Sequence, residues 1–162
     1  MAKKSGQKEE GEGVLVAALN KKARRDYEIS DTFEAGLALL GSEVKSIRDG
    51  GMNLQESYVR VSNSELFLVD CHISPYTFAG FQAPPPTRER KLLMHRREIE
   101  RLGVAVRQKG LTLVPMRAYF KNGRCKLEVG LGKGKKLWDK REDVKAKEAK
   151  RAMDRAFRER NR

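Results

Sequence analysis

Two alternating stretches, Leu111 to Phe120 and Arg124 to Leu131, flank Lys121-Asn122-Gly123-Arg124, and nothing else in the chain restricts its fold as strongly. Asn-Gly at a two-residue turn is the strongest short-range hairpin signal, because both central positions need φ > 0 and these residues accept it. Beyond the turn, Cys125, Leu127, Val129 and Leu131 alternate inward, leaving Lys126 and Glu128 outside. That is the period-2 pattern of a strand with one buried face. A hairpin this long needs further strands to cover its edges.

The sequence supplies them. From Tyr27 to Leu40, apolar or small residues fall at Tyr27, Ile29, Phe33, Ala35, Leu37 and Leu39, with an irregularity expected at Asp31-Thr32. Glu34 then points away from the apolar face, where a carboxylate is either solvated or free to accept hydrogen bonds from base amino groups. Ser42 to Gly51 reads as a short helix capped by Ser42, with Val44 and Ile47 on one side and Gly50-Gly51 ending it. Ser57 to Ser62 and Leu66 to Ile73 form a hairpin around Asn63-Ser64, with Phe67, Val69, Cys71 and Ile73 sharing one face. Pro84-Pro85-Pro86 is a stiff extended spacer. After it, Thr87 caps a helix running to about Lys109, with Ile99, Leu102 and Val106 at helical spacing and Arg88, Arg90, Lys91, Arg96, Arg97 and Arg101 outward. Gly103 weakens the case for an unbroken helix. Together these elements suggest a mainly β chain: a small antiparallel OB-like β-barrel with two or three helices, closed so that it leaves no free edges.

Charge narrows the class of ligand. The 162 residues carry 35 Lys+Arg against 22 Asp+Glu, a net charge of +13, and an excess of that size points to a polyanionic partner. No apolar run approaches the roughly 18 residues needed to span a bilayer, and no signal-like segment follows the start, so a soluble cytoplasmic protein is expected. Cys71 and Cys125 fit neither a disulfide framework nor a zinc site; small buried thiols suit their alternating positions, with a bridge between neighbouring strands as the alternative. His72 falls on an outer face and His95 among cations, so neither suggests a metal.

The cations are grouped. Val14 to Asp26 switches from apolar to basic, a short strand or turn that brings Asn20, Lys21, Lys22, Arg24 and Arg25 to the surface, where four cations in five positions repel unless phosphates neutralise them. Gly130 to Arg141 combines three glycines, four lysines, one arginine and the single tryptophan, Trp138. A pliable cationic joint bearing an aromatic suits RNA or single-stranded nucleic acid; the alternative is a linker whose Trp138 folds back on the core. From Lys133 to Arg162 there are thirteen Lys/Arg and six Asp/Glu, and the only sizeable apolar residues are Leu137, Trp138, Val144, Met153 and Phe157. Asp139 followed by Glu142 marks a helix start, and such a helix is marginal alone and stable on a partner. The organisation expected is a disordered lead-in at 1–13, a barrel at 14–131 and a basic tail at 132–162.

Five ordered blocks carry a resemblance: Leu19-Asn-Lys-Lys-Ala-Arg, Phe33-Glu-Ala-Gly-Leu-Ala-Leu, Gly41-Ser-Glu-Val-Lys-Ser-Ile-Arg, Thr87-Arg-Glu-Arg-Lys-Leu-Leu and Gly132-Lys-Gly-Lys-Lys-Leu-Trp-Asp-Lys-Arg. From about Leu19 onward the chain resembles the small protein B family, the SsrA-binding proteins that bind tmRNA in bacterial trans-translation. The resemblance implies an OB-like barrel that grips the tRNA-like domain of tmRNA, and a tail disordered in solution that turns helical in the vacant mRNA channel of a stalled ribosome, at the decoding centre on small-subunit rRNA. It implies no catalysis, no cofactor and no membrane. The protein would act as a monomer that delivers alanyl-tmRNA with the elongation factor carrying aminoacyl-tRNA. Asn20, Glu34, Lys91, Leu93 and Lys126 match family positions tied to tmRNA, and Lys21 and Arg24 join them from the basic cluster. Lys133, Lys135, Lys136, Asp139, Lys140 and Arg141 match tail positions tied to the ribosome, while Trp138 stands where the family often has a His or Tyr that stacks on a decoding-centre base. Pro85 departs from the pattern, replacing an Asp usual just before Pro-Thr-Arg.

Two other classes share some of these features. A ribosomal or RNA-chaperone protein with a generic basic arm would show no preference for a tRNA-like fold. An RNA-processing enzyme would need paired carboxylates, a metal cluster or a positioned His, and none stands at suitable spacing.

Overall fold

A computed structural model describes residues 13–160; apart from Gly13, the expected lead-in lies outside the described residues. The hairpin around Asn122-Gly123 forms as expected, joining β8 (Thr112–Lys121) to β9 (Arg124–Gly134), with Asn122 at φ 52° and Gly123 at φ 74°. The remaining strands are β1 (Val14–Leu19), β2 (Tyr27–Leu37), β3 (Met52–Asn53), β4 (Tyr58–Ser62), β5 (Glu65–Val69), β6 (His72–Ile73) and β7 (Arg90–Leu93). The helices are α1 (Ala23–Asp26), α2 (Gly41–Arg48), α3 (Arg96–Lys109) and α4 (Leu137–Arg160), with one 3-10 turn at Gly80–Gln82.

All pairings are antiparallel, and the sheet order β1-β8-β4-β5-β7-β2-β9 closes on itself because β9 also pairs along β8. The result is the mainly β, OB-like barrel expected, with β3 and β6 as a small separate ladder. On its other edge β8 meets β1 from Arg117 to Lys121 and β4 at Leu113. Leu66, Leu68, Leu92, Leu113, Leu127 and Val129 fill the interior, and α2 and α3 cover it with Ile47, Ile99 and Leu102. A smaller cluster of Ala23, Val114 and Met116, with Tyr27 and Ile29, packs beneath α1. Leu127 is fully buried, so Leu127→Ala is expected to destabilise the fold by about 2 to 5 kcal/mol in a denaturant titration.

Several local expectations change. The segment after the prolines is not one helix from Thr87: it enters as β7, and α3 begins only at Arg96, the His95 carbonyl accepting from the N–H groups of Glu98 and Ile99. Tertiary pairing overrides helical spacing here, because the ring needs a strand between β5 and β2, and Leu92 lines up with Leu66 on one side and Leu37 on the other. Gly103 does not break α3; it is buried in the helix beside Val61. At α2, Leu40 rather than Ser42 holds the N-cap position, its N–H donating to Glu43 Oε2 at 2.9 Å.

In β5, Leu66 and Leu68 face inward, whereas Phe67 faces out beneath the Arg60 guanidinium, 6.0 Å from its ring. Asp70, at φ 56°, resets the alternation so that Cys71 and Ile73 still point in. The irregularity in β2 is a bulge between Ile29 and Asp31. Both cysteines are free and buried, as the small-thiol reading has it, and burial pushes each thiol up to about 12.

The glycines opening the cationic joint belong to β9, which runs past Leu131 to Gly134 against β2. Gly130 and Gly132 serve close packing rather than pliability: a Cβ on Gly132 would lie 2.3 Å from the Glu28 carbonyl oxygen, and one on Gly130 2.9 Å from Met116 Sδ, whereas Gly134 has open space around it.

Candidate nucleic-acid interface

The barrel wall brings several of the sequence-derived residues together. Gly36 in β2 lies between Lys126 of β9 and Leu93 of β7, so these two side chains flank one point of the outer surface. Leu93 rests across Gly36, where a Cβ would come within 3.3 Å of the leucine Cβ, and it stays 54% exposed despite being apolar. Glu34 sits two residues along β2 and faces the same way. Lys91 lies two residues along β7, exposed and ion-paired with Glu65 at 2.6 Å. The leucine thus leaves an apolar surface beside charged side chains.

Glu34 is held rather than loose. Tyr119 donates its hydroxyl hydrogen bond to Glu34 Oε2, with Lys121 Nζ 3.8 Å from that oxygen and Lys126 Nζ 3.9 Å from Oε1. The tyrosine hydrogen bond, aided by the two ammonium groups against a desolvation cost, holds the Glu34 carboxyl below its usual range. Burial, and then the bond to Glu34, pushes the Tyr119 phenol up. Beside this pair, Arg117 Nε donates to Glu128 Oε2 at 2.7 Å, and the guanidinium stands 5.3 Å from the Tyr119 ring centroid. Glu34 therefore presents an ionised, fixed acceptor within a cationic surround. Tyr119 and Lys121 were missed from the sequence because their approach to Glu34 depends on the pairing of β8 with β9 and of β9 with β2.

Asn20 does not reach the surface. It is 5% exposed, and its side-chain amide donates to the carbonyls of Pro115 at 2.9 Å and Leu54 at 3.3 Å, while its Oδ1 accepts from the Lys22 N–H. β1 has just left β8 here, and the asparagine fills backbone bonds that the departing strand would leave open. Around it Lys21 and Arg24 are exposed, while Lys22 pairs with Glu56 and Arg25 with Asp26. Arg90, expected on a basic outer face, is fully buried instead.

The tail residues meet α1 at the opposite end of β2 from Gly36. Lys133 stands opposite Glu28 in the β2–β9 ladder, Lys135 N–H donates to the Asp26 carbonyl at 2.8 Å, and Lys135 Nζ donates to the Arg24 carbonyl and to Asp143. Lys140 Nζ lies 3.6 Å from Asp26, whose carboxyl is held below its usual range chiefly by the hydrogen bond from Arg25 and further by Lys140. α4 then projects with no buried side chain, so the tail stands as a helix tied at its base alone. Trp138 is 70% exposed and does not fold back on the core; Lys136, Asp139 and Arg141 are exposed beside it. Glu28 and Glu34 are six residues apart, about 20 Å along the strand, so tail base and outer face are distinct surfaces. Among the described residues no group of His, Cys, Asp and Glu could hold a metal ion, and no helix is long and apolar enough to cross a membrane.

Comparison with known proteins identifies the family. The family model described as SmpB protein matches residues 17–159. The SsrA-binding protein of Geobacillus thermodenitrificans is 54% identical over 150 residues, covering 93% of this chain and 96% of the relative. That of Roseiflexus castenholzii is 53% identical over 154 residues, covering 94% and 98%. A solved structure described as "tmRNA-SmpB: a journey to the center of the bacterial ribosome" superposes with a TM-score of 0.64 at 45% identity, covering 82% of this chain and 94% of that one. With a family model matched over residues 17–159 and half its residues shared with full-length relatives, the chain belongs to the SmpB protein family.

Proposed function

We propose that this protein binds tmRNA and takes part in trans-translation on the ribosome, without itself catalysing a reaction. The observation that carries the reading is the match, over nearly the whole chain, to relatives named for binding SsrA RNA. The geometry supports it in detail. The outer face of Glu34, Lys91, Leu93 and Lys126 offers a fixed anionic acceptor, lysine ammonium groups and an exposed apolar contact, a combination suited to the base edges and phosphates of a folded RNA. In this reading the tRNA-like domain of tmRNA occupies that face. Asn20 acts from below, by shaping the turn that presents Lys21 and Arg24.

The tail takes the ribosome. Its base cations Lys133, Lys135 and Lys136 lead into a helix with Trp138, Asp139, Lys140 and Arg141 in its first turns, and that helix enters the mRNA channel when no message fills it. There rRNA phosphates neutralise the cations and Trp138 stacks on a decoding-centre base. The protein works as a monomer in the cytoplasm, in company with the elongation factor that brings alanyl-tmRNA.

Binding of the full chain to a transcript of the tRNA-like domain tests the reading. Affinity is expected to fall with salt at a log–log slope of about −0.7 to −0.9 per phosphate neutralised. Glu34→Ala is expected to weaken binding roughly two- to tenfold, the worth of a single hydrogen bond, with a modest fall in melting temperature because the Tyr119 hydroxyl loses its acceptor. Equal affinity for an unrelated hairpin of the same length would favour a general RNA chaperone instead.

A further inference from the structure

The segment between β6 and β7 leaves two large aromatic rings uncovered: Phe78 is 85% exposed and Phe81 fully exposed. They do not sit on a slack loop. Ser74 N–H donates to the Gly51 carbonyl at 2.8 Å, Ser46 Oγ donates to the Ser74 carbonyl at 2.5 Å, and Ile73 N–H donates to the Pro86 carbonyl at 2.9 Å. Within the loop, Ala79 N–H donates to the Tyr76 carbonyl, and the Tyr76 and Phe78 rings meet edge to face at 5.6 Å. Pro84, Pro85 and Pro86 stiffen the return to β7, so little conformational freedom remains to be lost when the rings are covered.

The surroundings are cationic. Lys45 Nζ stands 5.5 Å from the Tyr76 ring centroid, and the Arg48 guanidinium lies 5.2 Å from that of Phe120. Arg48 thus reaches the end of β8, and the turn that follows Phe120 carries the exposed Lys121 and Arg124. Flat aromatic faces beside positive charge suit unpaired bases on a phosphate backbone, since every base has a face to stack and every nucleotide a charge to neutralise. An apolar pocket on a protein would gain nothing from that rim.

Position selects which RNA. The loop runs directly into β7, the strand that carries Lys91 and Leu93 on the outer face, whereas the tail leaves from the far end of β2 and β9. We infer that Phe78 and Phe81 form a second RNA site, on which unpaired bases of the tmRNA held by the outer face stack. The inference rests on the function proposed above and adds to it a contact made by this chain's own loop.

The test uses the full-length protein and a transcript of the tRNA-like domain, with affinity measured across a salt series. The double substitution Phe78→Ala, Phe81→Ala is expected to lower affinity at least about five- to a hundredfold, the range for losing one stacked base, and further if each ring carries one. The salt slope should not change, because rings release no counterions. Melting temperature should also hold, since neither ring is buried, and Phe81→Trp should bind at least as well as the parent. Lys45→Ala, by contrast, should reduce the slope. Unchanged affinity in the double variant overturns the inference, as does a Phe81→Trp protein that binds no better than Phe81→Ala. Normal RNA affinity with lost binding to intact ribosomes would assign the loop to the ribosome and overturn it equally. Failure of the parent protein to prefer the tRNA-like domain would instead defeat the proposed function, an outcome read separately in the same experiment.

Discussion

Glu43→Ala is expected to destabilise the protein by about 3 to 5 kcal/mol, the largest single-residue effect on the barrel, because it strands a buried arginine. Glu43 is 3% exposed and Arg90 is not exposed at all. Glu43 Oε1 accepts from Arg90 Nε at 2.8 Å and Arg88 Nε at 2.9 Å, and Oε2 accepts from Arg88 Nη2 at 2.6 Å and the Leu40 N–H at 2.9 Å. Arg90 spends its remaining donors on the carbonyls of Cys71, Arg88 and Pro86. The cluster thus ties α2, the loop before β7 and β7 itself to one carboxylate. Without it Arg90 keeps its charge in an apolar interior, and the guanidinium cannot shed a proton near neutral pH.

The same carboxylate gives a pH dependence. Burial alone would push Glu43 up, but hydrogen bonds from Arg88, the Leu40 backbone and Arg90 outweigh it and hold the group below its ordinary 4.5. A depressed folded value means the unfolded chain binds the proton more readily. The stabilisation is therefore complete above about pH 4.5 and is lost as pH falls through the lower folded value. Acid titration of the melting temperature should show this loss in the parent and a smaller one in Glu43→Gln. Replacing Glu43, Arg88 and Arg90 together by apolar residues should recover much of the stability lost in Glu43→Ala, since the penalty comes from the orphaned charge. A Glu43→Ala protein as stable as the parent would mean that water reaches Arg90.

Cutting the chain after Leu137 is expected to abolish tagging of nascent chains on stalled ribosomes while leaving affinity for the tRNA-like domain unchanged. α4 has no buried residue, and its ties to the body end at Lys140 and Asp143. Ordering a backbone costs about 1 to 2 kcal/mol per residue, and a helix with so little apolar contact has only its own hydrogen bonds to offset that. A channel walled by phosphates changes the balance by neutralising the excess of Lys and Arg. In the function proposed above, the tail would then report an empty message path, since intact mRNA would fill the same space. Trp138→Ala should damage tagging severely, whereas Trp138→His or Trp138→Tyr should preserve most of it, because a flat aromatic face is what stacking needs. Normal tagging by the truncated protein would sink this mechanism, and so would equal defects for the alanine and tyrosine variants.

What was legible in the sequence rested on local rules. The turns at Asn63-Ser64 and Asn122-Gly123 follow from residues that accept φ > 0. The inward set Cys125, Leu127, Val129 and Leu131 follows from a strand's period of two. The cationic excess follows from composition alone, as does the exposure of most of the tail, which lacks the apolar residues to bury. The blocks that carried the family resemblance needed only residue identity and order.

Most of the places where the reading failed depend on a partner distant in the chain. Arg90 to Leu93 has enough helical character to extend α3 backwards, yet the gap between β2 and β5 requires a strand there. That pairing turns Arg90 inward, where Glu43, forty-seven residues away, makes its burial tolerable. Asn20 looks like part of a basic surface until Pro115 and Leu54 turn their carbonyls toward it. Gly132 resembles a hinge until the Glu28 carbonyl is seen against it, and Phe67 resembles core until Asp70 resets the alternation. Turn type, periodicity and charge belong to a few neighbouring residues, so the sequence by itself determined them. Which face of a strand is inside, and which charge is buried, depends on long-range partners, so only the tertiary structure decided it.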